Sequence, residues 1–222
     1  MKKKKKRKKI KFKRLFILLL FLSAIFFVCS NFINIPIMSI TINGNKNLTD
    51  KDVLKLSKLD NYPSFFTVLT FKIKEKLLKS PYIDDAFVSK GLFSVKINIV
   101  ENKVLYIDKE TEEKVFLKGR IKDDKVLCAP ILINEVPKDK QKYFLYAMNK
   151  IDEDILCKMS EIKYDPNDKD YDRYFVNMSD GNGVYLTVNK FKKINDYDRI
   201  LESIGKQNGI MYLDYGDFFE AR

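Results

Sequence analysis

The feature that most constrains this chain is an uncharged apolar run close to its N-terminus. The run begins at Leu15 with the letters LFILLLFLSAIFFVCSNFI, and no charged residue follows until Lys46. A helix of that length, at a rise of about 1.5 Å per residue, spans about 28 Å, which is close to the thickness of a bilayer core. We therefore predict a transmembrane helix over residues 15–35.

Residues 1–14 form a basic head that precedes the apolar run. They hold 11 of the 42 Lys and Arg residues and no acidic residue. Basic residues that flank a membrane span stay in the cytoplasm and are attracted to anionic lipids. We expect a single-pass type II protein with its N-terminus in the cytoplasm, its C-terminus outside the cell, and the lipid bilayer as one partner.

The charge balance outside the head argues against a nucleic-acid partner. The other 208 residues carry 31 basic and 30 acidic side chains. A domain that binds nucleic acid usually has a basic surface, and a balanced composition does not predict one.

The three cysteines leave several interpretations open. Val28-Cys29-Ser30 could be a signal-peptide cleavage site, although a retained anchor is favoured. Lipidation of Cys29 is disfavoured, because Val28 stands where Gly or Ala is expected. Cys128 and Cys157 could form a disulfide, but two buried free thiols are the favoured interpretation.

Residues 36–102 follow a β-α-α-β-β order, with strands expected at 37–43, 83–90 and 94–101. Thr49 is a good N-cap for the first helix, and Asp52 can complete a capping box. The second helix is predicted from apolar residues at helical spacing, namely Phe66, Leu69, Ile73 and Leu77.

The remainder, residues 103–218, is rich in short strands. The letters SDGNG indicate a hairpin turn between strands at 174–178 and 184–188. A last strand is expected at 210–215. Other strands are predicted at 114–117, 125–128, 131–133 and 160–164, and helices at 138–151 and around 194–204. The fold class is therefore α+β, in which a strand-rich β domain with flanking helices follows the first module.

The composition excludes several kinds of active site. The chain has no His, so it cannot build a Ser-His-Asp triad, a Cys-His pair or a zinc site with His ligands. Asp168, Asp170 and Asp172 alternate as in a calcium loop, but Arg173 replaces the required Gly, and a solvated loop is favoured. We predict that the protein is not an enzyme and has no catalytic residue, metal or cofactor.

The order of these features resembles the FtsQ/DivIB family of bacterial cell-division proteins. The resemblance is carried by ITINGNKNLTDKDVLKLSKL, by LLKSPYIDDAFVSKGLFSVKINIVEN and by GIMYLDYG near the C-terminus. It implies a POTRA domain over 36–102, a β domain over 103–218 and a short tail over 219–222.

The resemblance also implies a function and a site. It implies a non-enzymatic scaffold of the division complex, located in the cell membrane at the division septum. Its partners would be small bitopic division proteins of the FtsL and DivIC (FtsB) type. We expect docking at an exposed sheet edge near the last strand, through Tyr212, Leu213, Asp214, Tyr215, Phe218 and Phe219. The alternatives are a membrane-anchored extracellular cell-wall enzyme and a POTRA-type chaperone of exported chains.

Overall fold

The computed structural model describes residues 12–205 and 207–222. Most of the predicted basic head, residues 1–11, therefore lies outside the described residues. The chain forms two compact units. One runs to Lys79 and includes Asp85–Ile99, and the other comprises Ser80–Asp84 and Val100–Arg222.

The N-terminal helix α1 (Phe12–Ile33) covers most of the apolar run. Within residues 12–205 and 207–222, no helix combines the length and the apolarity that a membrane span requires. The transmembrane part of the prediction, residues 15–35, is therefore not confirmed.

The first unit has the predicted β-α-α-β-β order. Its elements are β1 (Ser39–Asn43), α2 (Asp50–Ser57), α3 (Thr70–Leu77), β2 (Ile83–Lys90) and β3 (Ser94–Glu101). The sheet order is β1-β3-β2, and β1 runs parallel to the central strand β3.

Local sequence explains the first turn of this unit. Gly44 has φ +86°, and a Cβ atom there would lie 2.1 Å from the carbonyl oxygen of Ile99, so only glycine fits. The predicted capping box is confirmed, because the Thr49 amide donates to Asp52 and the Asp52 amide donates back to the Thr49 hydroxyl. The prediction for the second helix was partly wrong. Phe66 and Leu69 precede α3 and are exposed.

The second unit contains a nine-stranded mixed sheet of order β12-β11-β10-β9-β8-β7-β4-β5-β6. Its strands are β4 (Tyr106–Asp108), β5 (Lys114–Phe116), β6 (Gly119–Ile121), β7 (Ile131–Leu132), β8 (Met159–Tyr164), β9 (Arg173–Met178), β10 (Gly183–Thr187), β11 (Gly209–Tyr212) and β12 (Phe218–Ala221). Its helices are α4 (Lys138–Met148), α5 (Glu153–Lys158), a 3₁₀ helix (Val188–Asp196) and α6 (Tyr197–Ser203).

One face of this sheet packs against the helices to form the core of the second unit. Phe144 of α4 stacks on Tyr174 of β9, and Phe191 of the 3₁₀ helix meets both rings edge-on. Val176 and Val184 extend the same buried face along β9 and β10. Alternate residues of these strands therefore point to the opposite face, which carries the candidate site.

Three further predictions for this unit differ from the structure. Residues 125–128 form no strand, and the predicted tail, residues 219–222, holds most of β12. Cys128 and Cys157 are not buried free thiols, since they form a disulfide with a Cα–Cα distance of 4.8 Å. Cys128 is exposed and Cys157 is half-buried. The extended loop after β6 brings Cys128 beside α5, a helix that the sequence pattern did not predict.

Candidate functional site

The six predicted docking residues lie together at one end of the nine-stranded sheet, but on elements that differ from the predicted ones. The expected strand at 210–215 ends at Tyr212, and a turn over residues 213–217 leads into β12. The two strands pair in antiparallel orientation, and β12 is the edge strand. Strand β11, which was expected at the edge, is therefore the second strand from the edge.

The six side chains divide between the two faces of the sheet. Leu213 is only 3% exposed and belongs to the core, and Phe219 packs against the same core. Tyr212 and Phe218 lie on the outer face, with their ring centroids 4.4 Å apart. Tyr215, in the turn, is 85% exposed. The face available to a partner is thus formed by Tyr212, Phe218 and the turn.

An aromatic row crosses the outer face of four neighbouring strands. Phe175, Tyr185, Tyr212 and Phe218 are directly opposite one another in the β9, β10, β11 and β12 register. Successive ring centroids are 4.6, 5.3 and 4.4 Å apart. Such cross-strand aromatic pairs stabilise the sheet by roughly 0.2–1 kcal/mol each.

Sequence reasoning missed Phe175 and Tyr185 as parts of this site. The available signal was strand alternation, because each follows a residue that is buried in the core, Tyr174 and Val184 respectively. Gly183 has a related role. A Cβ atom there would lie 2.7 Å from the Phe175 ring, so glycine leaves room for that ring.

A charged pair flanks the aromatic row. The Arg173 guanidinium lies 3.6 Å from the centroid of the Tyr185 ring, a cation–π contact. Its Nε atom is 3.0 Å from Asp214 Oδ2, so the two charges form an ion pair. The Nε–H group is not directed at that oxygen and makes no hydrogen bond. Asp214, one of the predicted docking residues, is therefore engaged with Arg173 instead of facing solvent.

These groups enclose a groove of about 450 Å³ beside the sheet edge. It is lined by Asn167, Lys169, Asp170, Arg173, Tyr212, Asp214, Tyr215 and Phe218. The pKa of Tyr212 is raised, mainly because the hydroxyl is partly desolvated and secondly because it donates a hydrogen bond to Glu220. The hydroxyl therefore stays neutral. The groove therefore combines aromatic surface with hydrogen-bonding groups of both charges.

The backbone of β12 can accept another strand. The Arg222 amide donates to the carbonyl of Asn208, and hydrogen-bonded pairs alternate along an antiparallel ladder. The ladder bonds therefore use Phe218 and Glu220, and the N–H and C=O groups of Phe219 and Ala221 point away from β11. No further strand of the described residues lies beyond this edge.

A buried polar network holds β11 in position. Asn182, at the hairpin turn, accepts a hydrogen bond from the Gly209 amide at 2.8 Å and donates one to the Tyr197 hydroxyl at 3.0 Å. That hydroxyl donates to Asp180 at 2.6 Å. Burial and then the bond to Asp180 raise the pKa of Tyr197 well above its usual value. The network thus ties the hairpin and α6 to the start of β11.

We expect Asn182→Ala to loosen β11 and to destabilise the protein by about 2 kcal/mol, because the buried Gly209 amide loses its acceptor. Hydrogen exchange at Gly209 and chemical unfolding of the full-length chain measure the two effects. Asn177→Ala is the matched control, since Asn177 is exposed and its side chain bonds across the surface to Glu161. Equal effects of the two substitutions would show that Asn182 does not hold the strand.

The fold and this edge define a class of protein. An α+β unit of β-α-α-β-β order precedes, along the chain, a mixed sheet with a free backbone edge and an aromatic outer face. Consistent with this, residues 35–102 match the family profile described as "POTRA domain, FtsQ-type".

The chain belongs to the DivIB/FtsQ family of cell-division proteins. It is 30% identical to the cell division protein DivIB of Bacillus cereus, over 76% of this chain and 69% of that protein. It is 29% identical to DivIB of Listeria monocytogenes over 82% and 71% of the two chains. For DivIB of Geobacillus kaustophilus the identity is 27%, over 97% of this chain and 87% of that protein.

A solved structure is also similar to part of the chain. It is the major extracytoplasmic domain of the cell division protein DivIB from Geobacillus stearothermophilus, in its trans isomer. The identity is 23% and the TM-score is 0.38, with 48% of this chain and 96% of that one covered.

Proposed function

We propose that this protein is a non-enzymatic scaffold of the bacterial division complex that docks other division proteins at the edge strand β12. The observation that carries the proposal is the combination of outward backbone groups at Phe219 and Ala221 with an aromatic surface formed by half-buried Tyr212 and exposed Phe218. Membership of the DivIB/FtsQ family supports the cellular process.

The docking mode follows from the chemistry of the edge. A partner segment that adds a strand to β12 gains hydrogen bonds along the backbone, and these fix its register. Specificity then comes from alternate side chains, which would meet Phe218 and the groove beside it. Because Arg173 is paired with Asp214, the groove favours a partner strand with apolar and neutral polar side chains over a highly charged one.

The partners we propose are the extracellular segments of small bitopic division proteins of the FtsL and DivIC (FtsB) type. The support for this choice is the family to which the chain belongs, together with an edge that suits a short extended segment. The test is co-purification with the tagged full-length chain from its own membranes. We expect these proteins to be recovered, and their absence under conditions that retain the folded chain would contradict the proposal.

We further propose that residues 15–35 anchor the chain in the cell membrane, with the second unit outside the cell. The proposed anchor and its orientation rest on the amino-acid sequence, in which the basic head precedes an uncharged apolar run. Apolar side chains of α1 that include Phe16, Leu20 and Phe26 are exposed, as a membrane-embedded helix requires.

Protease treatment of intact cells stripped of their wall tests this topology. We expect an antibody against an N-terminal tag to detect a short protected fragment, because the cytoplasmic head is shielded by the membrane. Permeabilised cells are the control, in which the same fragment should be digested further. Loss of the N-terminal tag in intact cells, with the C-terminal unit protected, would reverse the proposed orientation.

A further inference from the structure

Three uncharged stretches of the first unit meet at one end of its sheet. They are residues 34–45, 61–71 and 91–95, in a chain of which 32% is Asp, Glu, Lys or Arg. The first leads from α1 into β1, the second joins α2 to α3, and the third is the turn between β2 and β3. We name the place where they meet the chain-entry end.

Backbone hydrogen bonds hold the three stretches together. The Phe65 amide donates to the carbonyl of Ile35 at 2.9 Å, and the Ile37 amide donates to the carbonyl of Pro63 at 3.1 Å. The Met38 amide donates to the carbonyl of Phe93 at 2.8 Å. These backbone hydrogen bonds fix the relative positions of the three stretches, so the chain-entry end is an ordered surface.

Aromatic rings fill this surface. Phe65, Phe66 and Phe93 form a cluster with centroid distances of 5.4, 5.5 and 6.3 Å. Lys90, which borders the third stretch, has its ammonium group bonded to the carbonyls of Phe65 and Val68. That ammonium also lies 4.1 Å from the centroid of the Phe65 ring, so the neighbouring charge is engaged with the cluster itself.

The outermost residues are apolar where a water-exposed loop would normally be polar. Leu92, at the hairpin tip, is 86% exposed, and Met38 is 70% exposed. Phe93 has φ +53° and Tyr62 has φ +45°, backbone conformations that favour Gly or Asn. Large aromatic residues at these positions cost backbone strain, which the surrounding contacts have to offset.

We propose that the chain-entry end rests in the boundary between headgroups and acyl chains of the lipid bilayer. The proposal depends on the membrane anchor proposed above, because it uses the short path from α1 to this surface. Ile35 lies two residues beyond the end of α1 at Ile33, and two extended residues reach at most about 7 Å. The backbone of Phe65, bonded to Ile35, must therefore stay close to the end of the anchor.

The chemistry of the surface fits that occupant. The bilayer interface accepts aromatic and apolar side chains, whereas uncompensated charges are disfavoured there. Contact of this kind would hold the first unit at a fixed height and restrict its tilt about the anchor. A second copy of the chain or a soluble protein could also cover an apolar surface, and the experiment separates these occupants.

The chain contains no Trp, so one introduced Trp reports on a single position. Full-length Leu92→Trp would be reconstituted into vesicles of anionic phospholipid, with or without lipids brominated near the headgroup end of the acyl chain. We expect blue-shifted emission and strong quenching by the brominated lipid. Phe87→Trp is the control, because Phe87 is exposed in the middle of β2, away from the hairpin tip. Its emission should remain water-like and unquenched.

Leu22→Trp in α1 tests the anchor in the same vesicles. Quenching at position 22 without quenching at position 92 would overturn the lipid contact while leaving the anchor in place. Blue-shifted emission at position 92 without quenching would show that protein covers this surface, and would also overturn the proposal. Quenching at neither position would contradict both the anchor and the lipid contact, and equal quenching at positions 87 and 92 would contradict a contact confined to the chain-entry end.

Discussion

Phe218→Ala is expected to weaken capture of the division partners about 30-fold, which corresponds to about 2 kcal/mol for an aromatic hot spot. Phe218 ends the aromatic row at the sheet edge and is half-exposed, so the substitution removes contact surface without opening the core. Affinity of the full-length protein for a partner's extracellular segment is the measurement. Tyr146→Ala is the control for general loss of exposed aromatic surface, because Tyr146 is as exposed as Phe218 and lies on α4, the helix that packs against the opposite face of the sheet. An unchanged affinity of the Phe218 variant would place the docking surface elsewhere.

The backbone contribution can be tested separately at Ala221. Its amide points away from β11, so Ala221→Pro removes an outward donor but no ladder hydrogen bond, a change that edge strands tolerate. Ala221→Ser is the matched control because it keeps the amide. We expect the proline variant to lose at least about tenfold in affinity and the serine variant to bind normally. Equal binding by the two variants would exclude strand addition at this edge.

The first unit could be predicted well from its sequence because its signals are local. The capping box at Thr49, the turn at Gly44 and the alternation of Val95, Ile97 and Ile99 each act within a few residues. The bounds of β2 and β3 were predicted correctly for the same reason. The second helix was predicted to include Phe66 and Leu69, but both precede α3. Here tertiary contacts, such as that between Phe66 and Phe93, override the helical spacing of the sequence.

The site was harder to predict because it depends on which strands become neighbours. Tyr212 and Phe218 were recognisable as exposed aromatic residues near the C-terminus, but their alignment with Phe175 and Tyr185 arises from a register across four strands. The side chain of Asn182 bonds to Gly209, 27 residues further along the chain. Strand β12 has only four residues, which carry too little periodicity to be read as a strand.

A second large effect is expected at a buried charge in the second unit. Lys114 of β5 has a side chain that is 6% exposed, and its ammonium lies 2.6 Å from Asp123 Oδ1. The Tyr82 hydroxyl also donates to this carboxylate, at 2.7 Å to Oδ2. The pair therefore fixes the loop after β6 to β5 and to the segment before β2. Such a buried ion needs its partner, because an uncompensated ammonium in this position is poorly solvated.

Removing the carboxylate charge should therefore destabilise the fold strongly. We expect Asp123→Asn to lower the free energy of unfolding by about 3 kcal/mol at neutral pH, the lower part of the range for breaking a buried pair. Chemical denaturation of the full-length chain in detergent is the measurement. Asp84→Asn is the control, since Asp84 pairs with Lys118 on the surface and such pairs contribute about 0–1 kcal/mol. Similar losses for the two variants would show that burial of Lys114 is not the cause.

The same pair predicts how stability depends on pH. Burial alone would raise the pKa of Asp123, but the hydrogen bonds from Lys114 and Tyr82 outweigh it and hold that pKa below its usual value. A carboxyl whose pKa is lower in the folded state stabilises the fold above its unfolded pKa, about 3.9, and loses that contribution as the pH falls through the folded pKa. The difference in unfolding free energy between the wild type and Asp123→Asn should therefore be constant near neutral pH and shrink below about pH 4. A difference that grows on acidification would reverse the sign of the linkage and show that Asp123 is protonated more readily in the folded protein than in the unfolded chain.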